Sequence, residues 1–111
     1  MRIFNRSAIE HYAKSYAPAR EPLRAWYGEA AAAQWTSPEH VRRQFPKASV
    51  VANQRVVFNI AGNAYRLIVS FNYRHRACYI KFFGTHAEYD RIDASTVDFT
   101  GVIHGTKDRR N

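Results

Sequence analysis

The sequence predicts an α+β domain in which N-terminal helices pack on a mainly antiparallel, strongly twisted sheet. Two periodicities and the chain length support this. Between residues 55 and 90, apolar side chains recur at every second position: Val56, Phe58, Ile60, then Tyr65, Leu67, Val69, Phe71, then Cys78, Ile80, Phe82. A period of two marks strands with one buried face. Before residue 46 the spacing is helical instead, with Ile9, Tyr12, Ala13, Tyr16 and then Leu23, Trp26, Tyr27, Ala30. A chain of 111 residues is one domain with a single core, and 46% hydrophobic content is enough to fill that core. The expected domain covers residues 1–99, followed by a flexible basic tail over residues 100–111, TGVIHGTKDRRN.

Arg2-Ile3-Phe4 is a short apolar run able to add an edge strand. Asn5 or Ser7 then offers an N-cap for a helix over residues 7–17, which Pro18 ends. Pro22 and LRAWYGEAAAAQW form a second helix whose small residues allow close packing on the first. Ser37-Pro38-Glu39 has the cap, first-turn proline and first-turn acid of a third helix, and Phe45-Pro46 stops it. Residues 49–52 read as a lead-in strand and Asn53-Gln54 as a turn.

Two hairpins follow. A two-residue turn at Gly62-Asn63 sets Ile60 opposite Tyr65, Phe58 opposite Leu67 and Val56 opposite Val69. For the second hairpin, a three-residue loop would turn Lys81 into the core, at a cost of several kcal/mol or more. A four-residue loop over residues 74–77 avoids this by pairing Tyr73 with Cys78, Phe71 with Ile80 and Val69 with Phe82. The opposite face is then polar and basic, with Asn59 across from Arg66 and Ser70 between Arg55 and Lys81. Val57, Ile68 and Phe83 interrupt it. Arg66, Lys81, His86 and Tyr89 converge at one end of this open face.

The charge balance is strongly basic: 17 Lys and Arg against 9 Asp and Glu, or +8. Such an excess in a small domain favours nucleic acid or another polyanion as partner, although a basic protein can also meet an acidic one. No stretch approaches the roughly 20 apolar residues of a membrane span, and residues 1–17 are too polar for a signal-peptide core, so a cytoplasmic location is expected. Cys78 is the only cysteine and falls on the predicted core face, as a small apolar residue would.

His11, His40, His75, His86 and His104 are scattered singly, without the paired spacing of a zinc shell, so no metal is expected. Walker A, GxGxxG and GxSxG patterns are missing too, so no nucleotide cofactor is expected. The residues present suit phosphodiester transfer in RNA, where the strand supplies its own 2′-hydroxyl nucleophile. Arg66 and Lys81 offer charge stabilisation for a phosphorane. His86 offers proton transfer, and Tyr89 offers base stacking, orientation of the hydroxyl or proton transfer. Arg55 and Asn59 on the same face, with Arg42 and Arg43 on the third helix, offer phosphate contacts. Each has a plainer reading: Arg66 in an ion pair with Asp90 or Glu88, His86 as a cap, Tyr89 as packing, and the remaining cations as a solvated face.

Phe58-Asn59-Ile60-Ala61-Gly62-Asn63-Ala64-Tyr65-Arg66-Leu67 and, further on, Gly84-Thr85-His86-Ala87-Glu88-Tyr89-Asp90 resemble two motifs of the HigB family of bacterial toxins, within the RelE superfamily. The similarity spans the middle of the chain in the right order and spacing, and the helical N-terminal part agrees in length. It implies a RelE-like fold and an mRNA endoribonuclease that cuts messages on the ribosome and so inhibits translation. It also implies a cognate helix-turn-helix antitoxin, HigA-like. Arg66 matches the family's YRL arginine, His86 the position two residues past the glycine ending the last strand, and Tyr89 the C-terminal tyrosine. RelE itself uses lysines and arginines where this chain has His86, which leaves acid and base roles open between His86 and Tyr89. The rival readings are a non-catalytic RNA- or ribosome-binding translation inhibitor and, with no helix-turn-helix pattern to support it, a DNA-binding partner.

Overall fold

The computed structural model describes residues 1–98, and the expected basic tail lies outside the described residues. Five strands form one sheet in the order β1-β5-β4-β3-β2. The strands are β1 (Arg2–Phe4), β2 (Ser49–Val51), β3 (Arg55–Ile60), β4 (Tyr65–Asn72) and β5 (Ala77–Thr85). Every pairing is antiparallel except that of β1 with β5, which is parallel and joins strands far apart in the chain, as a parallel pair requires. The α+β class and the mainly antiparallel sheet agree with the sequence reading.

Helix α1 (Arg6–Ser15) buries Ala8, Ile9, Tyr12 and Ala13, the stripe its spacing predicts. Asn5 stands at its N-cap with φ of 67°, but its side chain caps nothing there and donates to the Ile80 carbonyl at 3.4 Å. Helix α1 stops at Ser15, two residues short of the expected end, and Pro18 falls within a 3-10 turn (Ala17–Ala19) that leads directly into α2 (Arg20–Ala32). Helix α3 (Pro38–Gln44) has the predicted start, with the Ser37 side chain accepting from the His40 amide at 3.4 Å.

The main core lies between these helices and one face of the sheet. Trp26 and Phe45 pack edge-on to Phe58, with centroids 5.3 and 5.2 Å away, and Trp35 packs on Phe71 at 5.7 Å. Cys78 belongs to this core, where burial pushes its thiol up to about 12, consistent with an inert residue.

The β3–β4 register is the predicted one, including Asn59 opposite Arg66. The β4–β5 register is not. Its loop has the predicted four residues but spans residues 73–76, so Asn72 pairs with Ala77 and Phe71 with Cys78. Val69 then faces Ile80 and Ile68 faces Phe82, which leaves Lys81 as an extra residue opposed by none on β4. Such a bulge reverses the facing of everything after it. Phe83 therefore enters the main core, and Phe82 turns to the second face, the opposite of the expected assignment.

The second face is also less open than expected. Val57, Ile68, Phe82 and Val97 form a small buried cluster, with Tyr89, Ile92 and Ala94 packed against it. The segment after β5 thus crosses the sheet. Arg55 fastens it: the side chain is only 8% exposed, and Nη1 donates to the carbonyls of Ala94 at 3.1 Å and Val97 at 2.6 Å. Bonds from a charged donor to buried main-chain oxygens satisfy both partners. Arg55, expected to hold RNA, is occupied inside the fold.

Candidate active site

The end of the sheet where β4 begins and β5 finishes collects the polar residues. Tyr65 pairs with Thr85 and Arg66 with Gly84, so the turn before β4 lies beside the chain leaving β5. That chain forms a single helical turn, α4 (His86–Tyr89), closed by a capping box. Thr85 Oγ1 accepts from the Glu88 amide at 3.1 Å, and Glu88 Oε1 accepts from the Thr85 amide at 2.8 Å. The Tyr16 hydroxyl of the α1–α2 connection donates to the same Glu88 oxygen at 2.9 Å. The Thr85 amide, helped by Tyr16, holds the Glu88 carboxyl below the usual glutamate range. Burial, and then the bond to Glu88, pushes the Tyr16 phenol up to about 12.

This brace fixes where His86 and Tyr89 project. The His86 amide donates to the Ala64 carbonyl at 3.0 Å, tying α4 to the β3–β4 turn. His86 Nδ1 lies 3.8 Å from Asp90 Oδ2 one turn on, with both side chains more than half exposed, an ion pair whenever the imidazole is protonated. The Tyr89 ring rests against the second-face cluster, and the Arg66 guanidinium carbon stands 5.8 Å from its centroid. Arg66 joins neither Asp90 nor Glu88. It donates from Nη1 to the carbonyls of Asn63 at 3.1 Å and Tyr65 at 3.2 Å, and from Nη2 to Asn63 Oδ1 at 2.9 Å. A guanidinium, an imidazole and a phenol thus share one partly exposed corner.

Residues 19–92 match the model of the HigB toxin family, described as the RelE-like toxic component of a toxin-antitoxin system. The chain belongs to this family. Among its relatives is the mRNA interferase toxin HigB of Escherichia coli strain K12, 26% identical over 112 residues, covering 99% of this chain and all of the relative. The mRNA interferase HigB of Escherichia coli O6:H1 is 27% identical over 94 residues, covering 83% of this chain and 91% of the relative. A toxin of such a system has an antitoxin partner.

The remaining expected residues of this HigB-family toxin do not all gather at the corner. Asn59 is across from Arg66 and lines a hollow of about 350 Å³ with Lys47 and Gly62. Arg42 and Arg43 are exposed on α3, lining a broader hollow of about 600 Å³ beside the edge strand β2, two strands from Arg66. Lys81 sits in the bulge with Nζ 3.3 Å from Asp98 Oδ2, so its charge is already met in part. Among the described residues no three His, Cys, Asp or Glu side chains gather as a metal site would require, and no helix is long and apolar enough to cross a membrane.

Two features of the corner escape a reading by residue type. The brace through Thr85 and Glu88 carries the T-x-x-E signature of a helix start, which the strand reading of the preceding residues obscures. Asn63 reads as a turn residue, and nothing in its position along the chain reveals that its oxygens hold Arg66.

Proposed function

We propose that this toxin is an mRNA endoribonuclease that cuts messages on the ribosome without a metal, by attack of the 2′-hydroxyl on the adjacent phosphodiester. The observation that carries this reading is the convergence of Arg66, Tyr89 and His86 on one accessible corner. The names of the relatives support RNA as the substrate, and the +8 charge suits it.

In this reading a scissile phosphate meets the Arg66 guanidinium, which stabilises the added charge on the phosphorane. The 2′-oxygen loses its proton, bonds to phosphorus and expels the 5′-oxygen, which gains a proton. The products are a 2′,3′-cyclic phosphate and a 5′-hydroxyl. His86 transfers one of these protons, with Asp90 beside its Nδ1 to orient the ring. Tyr89 aligns the nucleotide over its exposed edge or shares the second transfer. Asn59 holds the strand beside Arg66, and Arg42 and Arg43 extend the positive surface toward ribosomal RNA. The Lys81 ammonium guides the strand from the margin of the site. The antitoxin is a HigA-like helix-turn-helix protein, and toxin and partner act in the cytoplasm.

Arg66→Ala and His86→Ala test the assignment through growth arrest and message cleavage, with folding checked by circular dichroism. Each is expected to lower cleavage by about 100-fold or more, as losing a charge stabiliser or a proton-transfer group does. Full cleavage by both variants overturns it. Growth arrest with messages left intact favours the non-catalytic translation inhibitor.

A further inference from the structure

We infer that Asn63 is a positioning residue for Arg66, selecting which edge of the guanidinium faces a substrate phosphate. The inference rests on the reading of Arg66 as the phosphate-binding arginine. Asn63 sits in the β3–β4 turn, and the turn alone explains its residue type. Its contacts go further. Nη1 of Arg66 meets the main-chain oxygen of Asn63 at 3.1 Å and Nη2 meets Oδ1 at 2.9 Å, so one residue closes the end-on fork of the guanidinium. The Tyr65 carbonyl takes the other Nη1 proton at 3.2 Å.

These bonds use three of the five N–H groups that a guanidinium carries. The two left over, Nε–H and the second Nη2 proton, share the side-on edge, which is itself a fork matched to two phosphate oxygens. Tyr89, 5.8 Å from the guanidinium carbon, sets the plane from another direction. An unanchored arginine would present either edge and lose that freedom on binding, whereas a held one meets the developing charge already oriented.

The neutral amide matters as well. The salt bridges of the described residues pair Arg24 with Glu10, Lys81 with Asp98 and His86 with Asp90, and none includes Arg66. Asn63 therefore holds Arg66 without cancelling its charge, which a carboxylate in the same place would do.

The test compares Asn63→Ala and Asn63→Asp, each with and without Arg66→Lys, in RNA cleavage and in nitrogen-resolved NMR of the guanidinium. Asn63→Ala is expected to lower kcat about 10- to 100-fold with KM and melting temperature little changed. It should have no further effect beside Arg66→Lys, because the fork it serves is gone. The Arg66 Nη2 signals, slowed in rotation in the native protein and in Asn63→Asp, should rotate faster in Asn63→Ala, which keeps only the main-chain bonds to Nη1. Wild-type kcat in Asn63→Ala, or equal losses with and without Arg66→Lys, overturns the inference. Native protein that cleaves no RNA defeats the proposed function instead, and the guanidinium spectra still decide whether Asn63 holds Arg66.

Discussion

The β3–β4 and β4–β5 hairpins share a strand and have connections of four residues each, but the first pairs without interruption while the second carries the bulge at Lys81. The regular hairpin sets the position of Arg66 and of Asn63, which grips it. The irregular one decides which of two adjacent phenylalanines enters the main core, and with it how α4 leaves the sheet. Regular pairing fixes Arg66, and a single inserted residue aims the groups beside it. Bulges recur next to functional sites for this reason: they re-aim side chains without a change of fold.

The sharpest way to break this contrast is to empty each aromatic site in turn. Phe83 packs on the rings of Tyr12, Tyr16 and Tyr65, with centroids 5.3, 5.4 and 5.4 Å away, between helix and sheet. Phe83→Ala should cost about 3–5 kcal/mol in urea denaturation, since rigid neighbours on both sides prevent collapse into the space. Phe82→Ala should cost less, nearer about 2–3 kcal/mol, because the segment over residues 89–97 can settle onto the vacated site. The reverse order would mean that the bulge lies elsewhere and that Phe82 is the core residue.

How much of this was legible before the structure follows from where each constraint originates. The helices and the β3–β4 register were readable because a proline, a cap or a Gly-Asn turn marks them locally. The bulge was not, since strict alternation through Cys78, Ile80 and Phe82 is as apolar as the true arrangement and Phe83 follows immediately. Alternation alone puts Arg55 on the polar face, and residue type cannot reveal that its partners are the main-chain oxygens of Ala94 and Val97. For the site, the register reading converges Arg66, Lys81, His86 and Tyr89; the structure places Arg66, His86 and Tyr89 at one corner and leaves Lys81 in the bulge beside Asp98. The grip of Asn63 on Arg66 is visible only as distances, whereas the Thr85–Glu88 brace has a sequence signature that the strand pattern before it hides.

A smaller effect is expected from Gly84, directly opposite Arg66. A Cβ there would stand 2.7 Å from Glu88 Oε1 and 2.9 Å from Phe82 Cζ. Neither can yield easily, as the carboxylate is held by Thr85 and Tyr16 and the ring is buried. Gly84→Ala should therefore cost about 1–3 kcal/mol, with α4 displaced to relieve the contact. Because α4 carries His86 and Tyr89, cleavage should fall further than the loss of folded protein explains, measured by activity normalised to the folded fraction. Unchanged activity per folded molecule would show that the site tolerates movement of α4.

The smallest expected effect is the most specific to the bulge. Removing Lys81 leaves Ile80 joined to Phe82, which makes β5 regular while keeping Ile80, Phe82 and Phe83 on the faces they now occupy. The deletion loses one partly exposed ion pair with Asp98, worth about 0–1 kcal/mol, so the protein should fold with melting temperature only slightly lowered. Removing Tyr79 instead shortens the same strand by one residue but turns Ile80 outward and Lys81 toward Val69 in the core. That variant should unfold or lose several kcal/mol, the cost of burying an unpaired charge. Two deletions two residues apart thus have opposite consequences if Lys81 is the inserted residue, and similar ones if it is not.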